Sequence, residues 1–323
     1  MLKKIDYKIL YELDYNSRQS YSEIAKKVNT SKQVVGYHLN QLVEEGYIKK
    51  FLTIFDLSKL GFTLYKIYVR LFNISEKEED EIIEFLKNHK NVAWLVRTEG
   101  IYDIAFALHA ETINEIDQIL LRLEDKYGNK ISEKVVNRVI TGEFFHKDYL
   151  LERKENTTRK GFVFQTLEKK EKIDEIDWKI IAKLSKDSRA SIIDMAKDVP
   201  ISADAVGKRI KSLEKSGIIR NYILILNDAK LNQIRYKVLL KVHHFNDKVN
   251  RRFLQFCREH PNITFYNRNI GTWEIEIDLE IKKSEEFRSI MRLIKKEFAD
   301  SIREYFSLMV YDVNKFDFIP MGG

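Results

Sequence analysis

The sequence predicts an α+β fold in which one unit is repeated twice, each unit a winged helix-turn-helix followed by a ferredoxin-like βαββαβ domain. Three observations lead to this prediction. The chain matches itself at one constant offset, each half begins with three short helical segments, and each half then alternates strands with helices. The length of 323 residues also exceeds what one ordinary core accommodates.

The internal repeat has an offset of 176 − 5 = 171 residues, since Ile5 recurs as Ile176. A constant offset means that neither copy carries a net insertion, so both halves are expected to share one fold. Residues 147–173 are polar and basic and are predicted to be the linker. Further pairs at this offset are Ser17-Arg18 with Ser188-Arg189, Gly46 with Gly217, Tyr65-Lys66 with Tyr236-Lys237, Gly100 with Gly271 and Phe145 with Phe316.

Residues 1–58 and 174–229 are predicted to form the two winged helix-turn-helix domains. In each, apolar residues at helical spacing indicate three helices. Ser31 and Ser202 are suited to cap the third helix, and Gly46 and Gly217 are expected to end it. The strand-like runs 47–56 and 218–227 follow as wings.

The third helix of each domain is the element that would enter the major groove of double-stranded DNA. A net charge of +7 favours such a polyanionic partner. Helix-turn-helix spacing also occurs in ordinary helical bundles, and a solvated helix face also carries lysines. Because the second copy is more basic, Lys208 and Arg209 are the first candidates. The full set of predicted DNA contacts is Lys32, Gln33, Tyr37, His38, Asn40, Lys208, Arg209 and Lys211.

Residues 59–146 and 230–320 are predicted to be the two ferredoxin-like domains. In the first, strands at 65–72, 91–98, 101–110 and 131–145 alternate with helices at 76–88 and 112–127, and the second copy has the same order. Gly100 and Gly271 lie between the second and third strands, where a turn with positive φ is one explanation for a glycine.

Several classes of function have no support in the sequence. Cys257 is the only cysteine, and the histidines lack metal-ligand spacing, so we expect neither disulfides nor a metal site. No catalytic triad, phosphate loop or dinucleotide motif is visible, and we expect no cofactor and no enzyme activity. The N-terminus is charged, and no long apolar run indicates a membrane span, so a cytoplasmic protein is expected.

The residues that carry a family resemblance are the start IDYKILYEL, the run SEIAKKVNTSKQVVGYHLNQLVEEGYI and the glycine signature at 99–103, repeated in form at 271–274. The chain resembles the Lrp/AsnC family of transcriptional regulators over nearly its whole length, twice. The resemblance implies DNA binding, assembly as dimers or higher oligomers, and an amino acid or related effector bound near the loop between the second and third strands. The implied effector residues are Gly100, Tyr102, Asp103, Gly271, Trp273 and Glu274.

Departures from the family pattern leave alternatives open. Two units in one chain are unusual, and Trp273 and Glu274 replace Tyr102 and Asp103, so the second copy is expected to bind a different effector or none. Asp103 and Glu274 also suit a role as turn caps. The resemblance implies that single units pair, and the duplication supplies both partners in one chain, so an intrachain pseudo-dimer is expected. A linker of about 25 residues reaches up to roughly 80 Å and permits this pairing. The third helices of the two copies differ, which predicts unlike half-sites.

Two other functions compete with regulation of transcription. Some relatives of the family are sirohaem decarboxylases, and such chemistry needs convergent histidine and arginine side chains. In each ferredoxin-like domain, the segment around the loop between the second and third strands is the predicted effector-sensing region, and we call this loop the sensor turn. These regions contain no histidine. They offer Arg97, Glu99 and Asp103, and then Asn267, Arg268, Asn269 and Glu274. The third candidate is a metabolite-binding or assembly protein whose helix-turn-helix is only structural.

Overall fold

The computed structural model describes residues 2–152, 159, 161–165, 170–317 and 319. Its architecture is the predicted α+β repeat. The helices are α1 (Lys4–Tyr15), α2 (Tyr21–Val28), α3 (Lys32–Glu44), α4 (Glu76–Lys87), α5 (Ile113–Tyr127), α6 (Glu175–Lys186), α7 (Ile192–Lys197), α8 (Ala203–Lys215), α9 (Asp247–Glu259) and α10 (Ser284–Glu297). The strands are β1 (Ile48–Phe55), β2 (Thr63–Leu71), β3 (Val92–Glu99), β4 (Ile104–Ala110), β5 (Ile131–Phe144), β6 (Phe162–Phe164), β7 (Ile219–Leu226), β8 (Ile234–Val242), β9 (Ile263–Ile270), β10 (Ile275–Ile281) and β11 (Ile302–Phe316).

The helix-turn-helix domains consist of α1–α3 and α6–α8, and side chains near the helix starts determine where the helices begin. Ser20 and Glu23 form a capping box at α2, in which the Ser20 hydroxyl accepts from the Glu23 backbone N–H at 3.2 Å. As predicted, Ser31 caps α3 and Ser202 caps α8. Tight turns connect α2 to α3 and α7 to α8. They leave one face of α3 and one face of α8 on the outside of their domains.

Each ferredoxin-like domain is a four-stranded antiparallel sheet with two helices on one face. The strand order is β5-β2-β4-β3 in the first domain and β11-β8-β10-β9 in the second. The apolar face of α4 and α5 packs on the first sheet, and that of α9 and α10 packs on the second. Strand β4 begins at Ile104, later than the predicted residue 101, because the residues after Gly100 belong to a turn.

The two sheets join at both edges, so the two halves of the chain are fused into one body. Strand β3 pairs with β11, and β9 pairs with β5. These contacts are equivalent under the repeat, since Glu99 pairs with Met309 and Ile270 with Arg138. The intrachain pseudo-dimer expected from the duplication is therefore what the structure has, with the faces opposite the helices turned toward each other.

The two helix-turn-helix domains are joined by a second pseudo-symmetric contact. Strands β1 and β7 pair antiparallel, and Leu52 lies opposite Ile223, its own counterpart at the repeat offset. Each wing strand thus pairs with the other wing strand. Leu52 and Ile54 pack into the core of the second helix-turn-helix, while Leu224 and Leu226 pack into that of the first. Because each wing strand packs partly into the core of the other helix-turn-helix domain, each of these domains is held to the other half of the chain.

The hydroxyls of Ser17 and Ser188 lie 2.6 Å apart at the same pseudo-two-fold axis. Around them the Arg18 guanidinium donates to the Ser188 carbonyl, and Arg189 donates to the Ser17 carbonyl. Arg18 also donates to the Ala190 carbonyl at 3.1 Å, and Arg189 donates to the Gln19 carbonyl at 3.2 Å. The contact is polar, reciprocal and largely withdrawn from solvent, which fixes the relative orientation of the two domains.

The segment predicted as a linker contributes ordered structure where it is described. Tyr149 and Leu150 lie in a 3₁₀ turn and pack into the first helix-turn-helix core. Strand β6 extends the sheet by pairing with the end of β5. The buried Arg159 guanidinium donates to a group of backbone carbonyls, including that of Cys257 at 2.7 Å. These contacts hold the segment between the two halves against the first helix-turn-helix domain and against the sheets.

Candidate DNA interface, sensor loops and central cavity

The first reading helix, α3, presents polar side chains to solvent. Lys32, Gln33 and Asn40 are exposed, and the Tyr37 ring is 61% exposed. The opposite side of α3 is held in the core by Val35 and Leu39 and by further apolar residues. Such a face, mostly neutral with one lysine, supplies hydrogen-bond donors and an aromatic ring and little charge.

The second reading helix, α8, is more strongly charged on its exposed side. Lys208 and Lys211 are both exposed. The Lys208 ammonium lies 2.8 Å from Asp204 one turn earlier, and both side chains are more than three-quarters exposed. An ion pair with this exposure is weak and leaves Lys208 able to exchange its partner for a phosphate.

His38 and Arg209, two predicted DNA contacts, occupy equivalent positions and have a structural bond in each copy. His38 Nδ1 lies 2.7 Å from Asp6, and Arg209 lies 2.9 Å from Asp177, the counterpart of Asp6. Arg209 also contacts Asp174 at the start of α6. Both side chains tie the reading helix to the first helix of their domain, which places them at the edge of the candidate interface.

Only glycine fits the backbone conformation and the space at Gly100 and Gly271, in the two sensor turns. Gly100 has φ +146° and Gly271 has φ +151°, a region that side chains rarely adopt. A Cβ on Gly100 would lie 2.8 Å from the Ser307 carbonyl, and one on Gly271 would lie 2.0 Å from Asn137. Each turn therefore lies directly against the long strand of the other half, with its tip exposed.

The aromatic residues of the turns are buried where the two sheets meet. Tyr102 and Trp273 are 3% and 1% exposed, and both rings lie near Tyr68. They fill the interface between the halves. Only the exposed outer edge of each turn, around the glycine, is accessible to a ligand from solvent.

The carboxylates of the turns bind backbone at strand ends. Asp103 accepts from the Leu71 N–H at 2.6 Å, and Glu274 accepts from the Val242 N–H at 2.8 Å. Glutamate in place of aspartate thus keeps the same contact in the second half. The predicted effector residues come together as two separate, equivalent turns, one from each half.

A central cavity of about 90 Å³ lies between the β1–β7 ribbon and the joined sheets. Ile223 to Leu226 of β7 form one wall, and sheet residues form the opposite wall. Its lining is mostly aromatic and aliphatic, with a few charged groups between the rings. The aromatic residues are Trp94, Phe144, Phe145, Phe162, Phe164, Phe265 and Phe316.

Two buried lysines at repeat-equivalent positions stand beside this cavity. Lys237 donates to Glu276 at 2.6 Å and to Asp278 at 2.5 Å. Lys66 donates to Glu276 as well, and the Tyr68 hydroxyl reaches the other oxygen of that carboxylate at 2.6 Å. Both ammonium groups also lie about 5 Å from the Trp94 ring, Lys66 at 5.2 Å and Lys237 at 4.8 Å. One carboxylate therefore serves two cations inside the protein.

Burial and charge act in opposite directions on this cluster. Burial lowers the pKa of Lys66 to about 8, against the attraction of Glu276. Burial alone would raise the pKa of Glu276, but Lys237 and Lys66 lower it to about 2. Burial also lowers the pKa of His109, at the cavity wall, to about 3, so this imidazole is neutral at pH 7.

Sequence reasoning missed this cluster, although a signal existed. Lys66 and Lys237 recur at the repeat offset in the middle of apolar strands, where a charged side chain on the inner face needs a buried partner. The partners lie on β10, and only the strand order shows that β10 is adjacent to β8.

None of the described helices combines the length and hydropathy needed to cross a membrane. The same part of the chain contains no group of three or more histidine, cysteine or acidic side chains arranged to hold a metal ion.

Comparison with known proteins defines the class of the chain. Residues 2–49 match the family described as winged helix-turn-helix DNA-binding, and residues 173–214 match the AsnC-type helix-turn-helix domain. The fold and these matches make it a helix-turn-helix DNA-binding transcriptional regulator.

Two curated relatives each align with less than half of the chain. An uncharacterised HTH-type transcriptional regulator of Pyrococcus abyssi is 32% identical over 136 residues, which is 42% of this chain and 90% of that protein. The transcriptional regulator LrpC of Bacillus subtilis is 33% identical over 100 residues, 31% of this chain and 68% of LrpC. The chain belongs to the Lrp/AsnC family of transcriptional regulators, in a tandem form.

A solved structure resembles the whole chain. The crystal structure of the siroheme decarboxylase NirDL superimposes with a TM-score of 0.64, covering 99% of this chain and 95% of that one at 14% sequence identity. At this identity the likeness shows the fold alone.

Proposed function

We propose that one chain binds a DNA operator as a pseudo-dimer, with α3 and α8 as unlike reading helices. The observation that carries this proposal is the pseudo-two-fold contact through Leu52 opposite Ile223 and Ser17 against Ser188. A covalent pair with fixed orientation replaces the two subunits of an ordinary dimer, which read half-sites one helical turn apart or a multiple of it.

The exposed side chains assign different tasks to the two helices. On α8, Lys208 and Lys211 supply the charge that attracts phosphates. On α3, Gln33 and Asn40 supply hydrogen-bonding groups for base edges, with Lys32 and Tyr37 beside them. His38 and Arg209 hold the helices through Asp6 and Asp177. The operator is therefore an imperfect palindrome with unlike half-sites.

Selection of bound sequences from a random DNA library tests this proposal. The expected result is a bipartite site whose two halves differ, bound by one chain. A control uses a chain in which residues 32–40 are replaced by residues 203–211, which should shift the selected site toward a symmetric palindrome. Recovery of a symmetric site with the wild-type chain, or no enrichment at all, contradicts the proposal.

We further propose that an amino acid or related metabolite regulates this binding, at the exposed edges of the turns around Gly100 and Gly271. One relative, 25% identical over 139 residues, is named the glutamate uptake regulatory protein of Zymomonas mobilis. Support from the chain is the presence of two exposed turn tips, whose buried sides contact the opposite half and so connect ligand binding to the pseudo-dimer. The proposed place of action is the cytoplasm.

The decarboxylase activity named for the structural neighbour is a competing function, and we propose that this chain lacks it. Pockets for drug-sized ligands measure about 300–1,000 Å³, whereas the central cavity has about 90 Å³. Incubation with sirohaem should leave its absorbance spectrum and mass unchanged, and loss of carboxyl groups would overturn this proposal.

A further inference from the structure

The two buried lysines beside the cavity are unequally satisfied. Lys237 makes two charge-assisted hydrogen bonds, to Glu276 and Asp278. Within the described residues, Lys66 makes one, to Glu276, so two of its three ammonium donors have no protein acceptor there. Lys66 is nevertheless only 5% exposed. A cation this deeply buried is stable only with anionic or polar partners.

The repeat explains where the missing partner would be. The counterparts of Glu276 and Asp278 at the offset of 171 are Ala105 and Ala107. The first half therefore keeps the lysine of the pair and lacks both acids. Ala107 lines the central cavity, so the cavity extends to the position where the second half has the Asp278 carboxylate.

We propose that the central cavity binds a small carboxylate with a flat apolar body, whose carboxylate accepts hydrogen bonds from Lys66. The ligand carboxylate takes the place that an aspartate at position 107 would occupy. Since about 10–15 Å³ holds one water, the cavity of about 90 Å³ has room for a single small ring with one carboxylate. This site is separate from the turns at Gly100 and Gly271.

The walls of the cavity fit the apolar part of such a ligand. The Lys66 ammonium lies 5.2 Å from the ring centre of Trp94 and 4.7 Å from that of Phe265. Phe164 packs parallel to Phe265 at 5.9 Å between ring centres. A planar ring stacks against these faces, while the carboxylate end lies toward Lys66.

Titration of wild-type protein with benzoate, followed by calorimetry and by tryptophan fluorescence, tests the proposal. Benzoate should bind one per chain at pH 7, and benzylamine, the same ring with a positive charge, should not bind. Lys66→Met should weaken benzoate at least tenfold. Lys241→Met, at a partly exposed lysine paired with Glu304, is the matched control and should leave affinity unchanged. Equal binding of both probes, no benzoate binding, or full affinity in Lys66→Met overturns the site.

Two variants at position 107 separate loss of binding from loss of folding. Ala107→Asp supplies the missing carboxylate in the chain itself, so it should abolish benzoate binding and raise the melting temperature. Ala107→Asn fills the same volume without charge and should abolish binding without that gain. If Ala107→Asp still binds benzoate with wild-type affinity, the proposed position of the ligand is wrong. Binding is measured without DNA, so its outcome is independent of the proposed operator.

Discussion

The two halves of this chain share one backbone fold, yet their inward faces differ in charge. In the second half the inner strand positions include Arg235, Lys237 and Glu280, with acids to match the bases. The equivalent positions of the first half are Leu64, Lys66 and His109. The two halves therefore share the positions of their strands but not the charges on them. The difference is clearest at Lys66, whose acidic partner, Glu276, belongs to the other half.

This difference teaches that the fused chain is more than two copies placed side by side. Lys66 of the first half and Lys237 of the second meet on the single carboxylate of Glu276. A buried charge with its partner in the other half makes correct pairing of the halves a condition for stability. Two identical subunits would have either both acids twice or neither.

The largest expected effect comes from removing the shared acid. Glu276→Gln leaves two buried lysines with one carboxylate, so the free energy of unfolding should fall by about 3–5 kcal/mol. Glu304→Gln, which removes an exposed carboxylate paired with Lys241, is the matched control and should cost under about 1 kcal/mol. Urea unfolding of both variants measures the difference. Equal small effects would show that the buried cluster does not hold the halves together.

The second prediction concerns the pH dependence of stability. In the folded chain Lys66 loses its proton near pH 8, whereas unfolded lysine keeps it up to about pH 10.5. Above pH 8 the unfolded state therefore binds more protons, and the free energy of unfolding should rise, by about 3 kcal/mol at most. The facing groups keep their charge state between pH 8 and 10, because the pKa of Glu276 is lowered and those of Tyr68 and Lys237 are raised.

Ala107→Asp sharpens this test by giving Lys66 a partner like that of Lys237. The pKa of Lys66 should then rise, and the gain in stability between pH 8 and 10 should largely disappear. Urea unfolding at several pH values compares the two proteins. If the wild type shows no rise, or the variant rises in parallel with it, Lys66 is not the titrating group.

The sequence predicted the elements well because the repeat supplied two independent patterns for each helix and strand. Serine caps and glycine ends marked α3 and α8 in both copies. The charge cluster could not be predicted in the same way, since its partners come from strands that are adjacent only in the folded sheet. Likewise, the roles of His38 and Arg209 depend on the approach of α1 and α6, which helical spacing does not show.

The linker illustrates a different reason for a missed feature. Strand β6 has only three residues, too few for a periodic pattern, and Arg159 is isolated in a polar run. Its burial depends on backbone carbonyls of α9 and β9, which carry no mark in the sequence. Side-chain patterns reveal apolar faces and leave partners of this kind hidden.

The third prediction compares two neighbours on α8. Lys208→Ala should lower the slope of log affinity against log salt by about 1, because one phosphate contact is lost. Arg209→Ala should change this slope less and should lower the free energy of unfolding by about 1 kcal/mol, since it releases Asp177. Gel shifts at several salt concentrations and urea unfolding separate the two effects. A larger slope change in Arg209→Ala would make Arg209 the DNA contact.

The smallest effects are expected where the halves agree, at the sensor turns. Asp103→Ala and Glu274→Ala each remove an acceptor from a backbone N–H, of Leu71 and Val242, so both should lower the free energy of unfolding by about 1 kcal/mol.

A contact with an effector at the sensor turn would add an effect on regulation. If an amino acid binds at the first turn, Asp103→Ala should abolish the amino-acid-dependent change in DNA affinity while DNA binding without ligand stays intact. Calorimetry of the wild type with a panel of amino acids comes first, and absence of binding rejects the effector role. Equal stability losses with unchanged regulation would assign both carboxylates to the turns alone, and an effect confined to Asp103 would extend the asymmetry of the halves to their ligands.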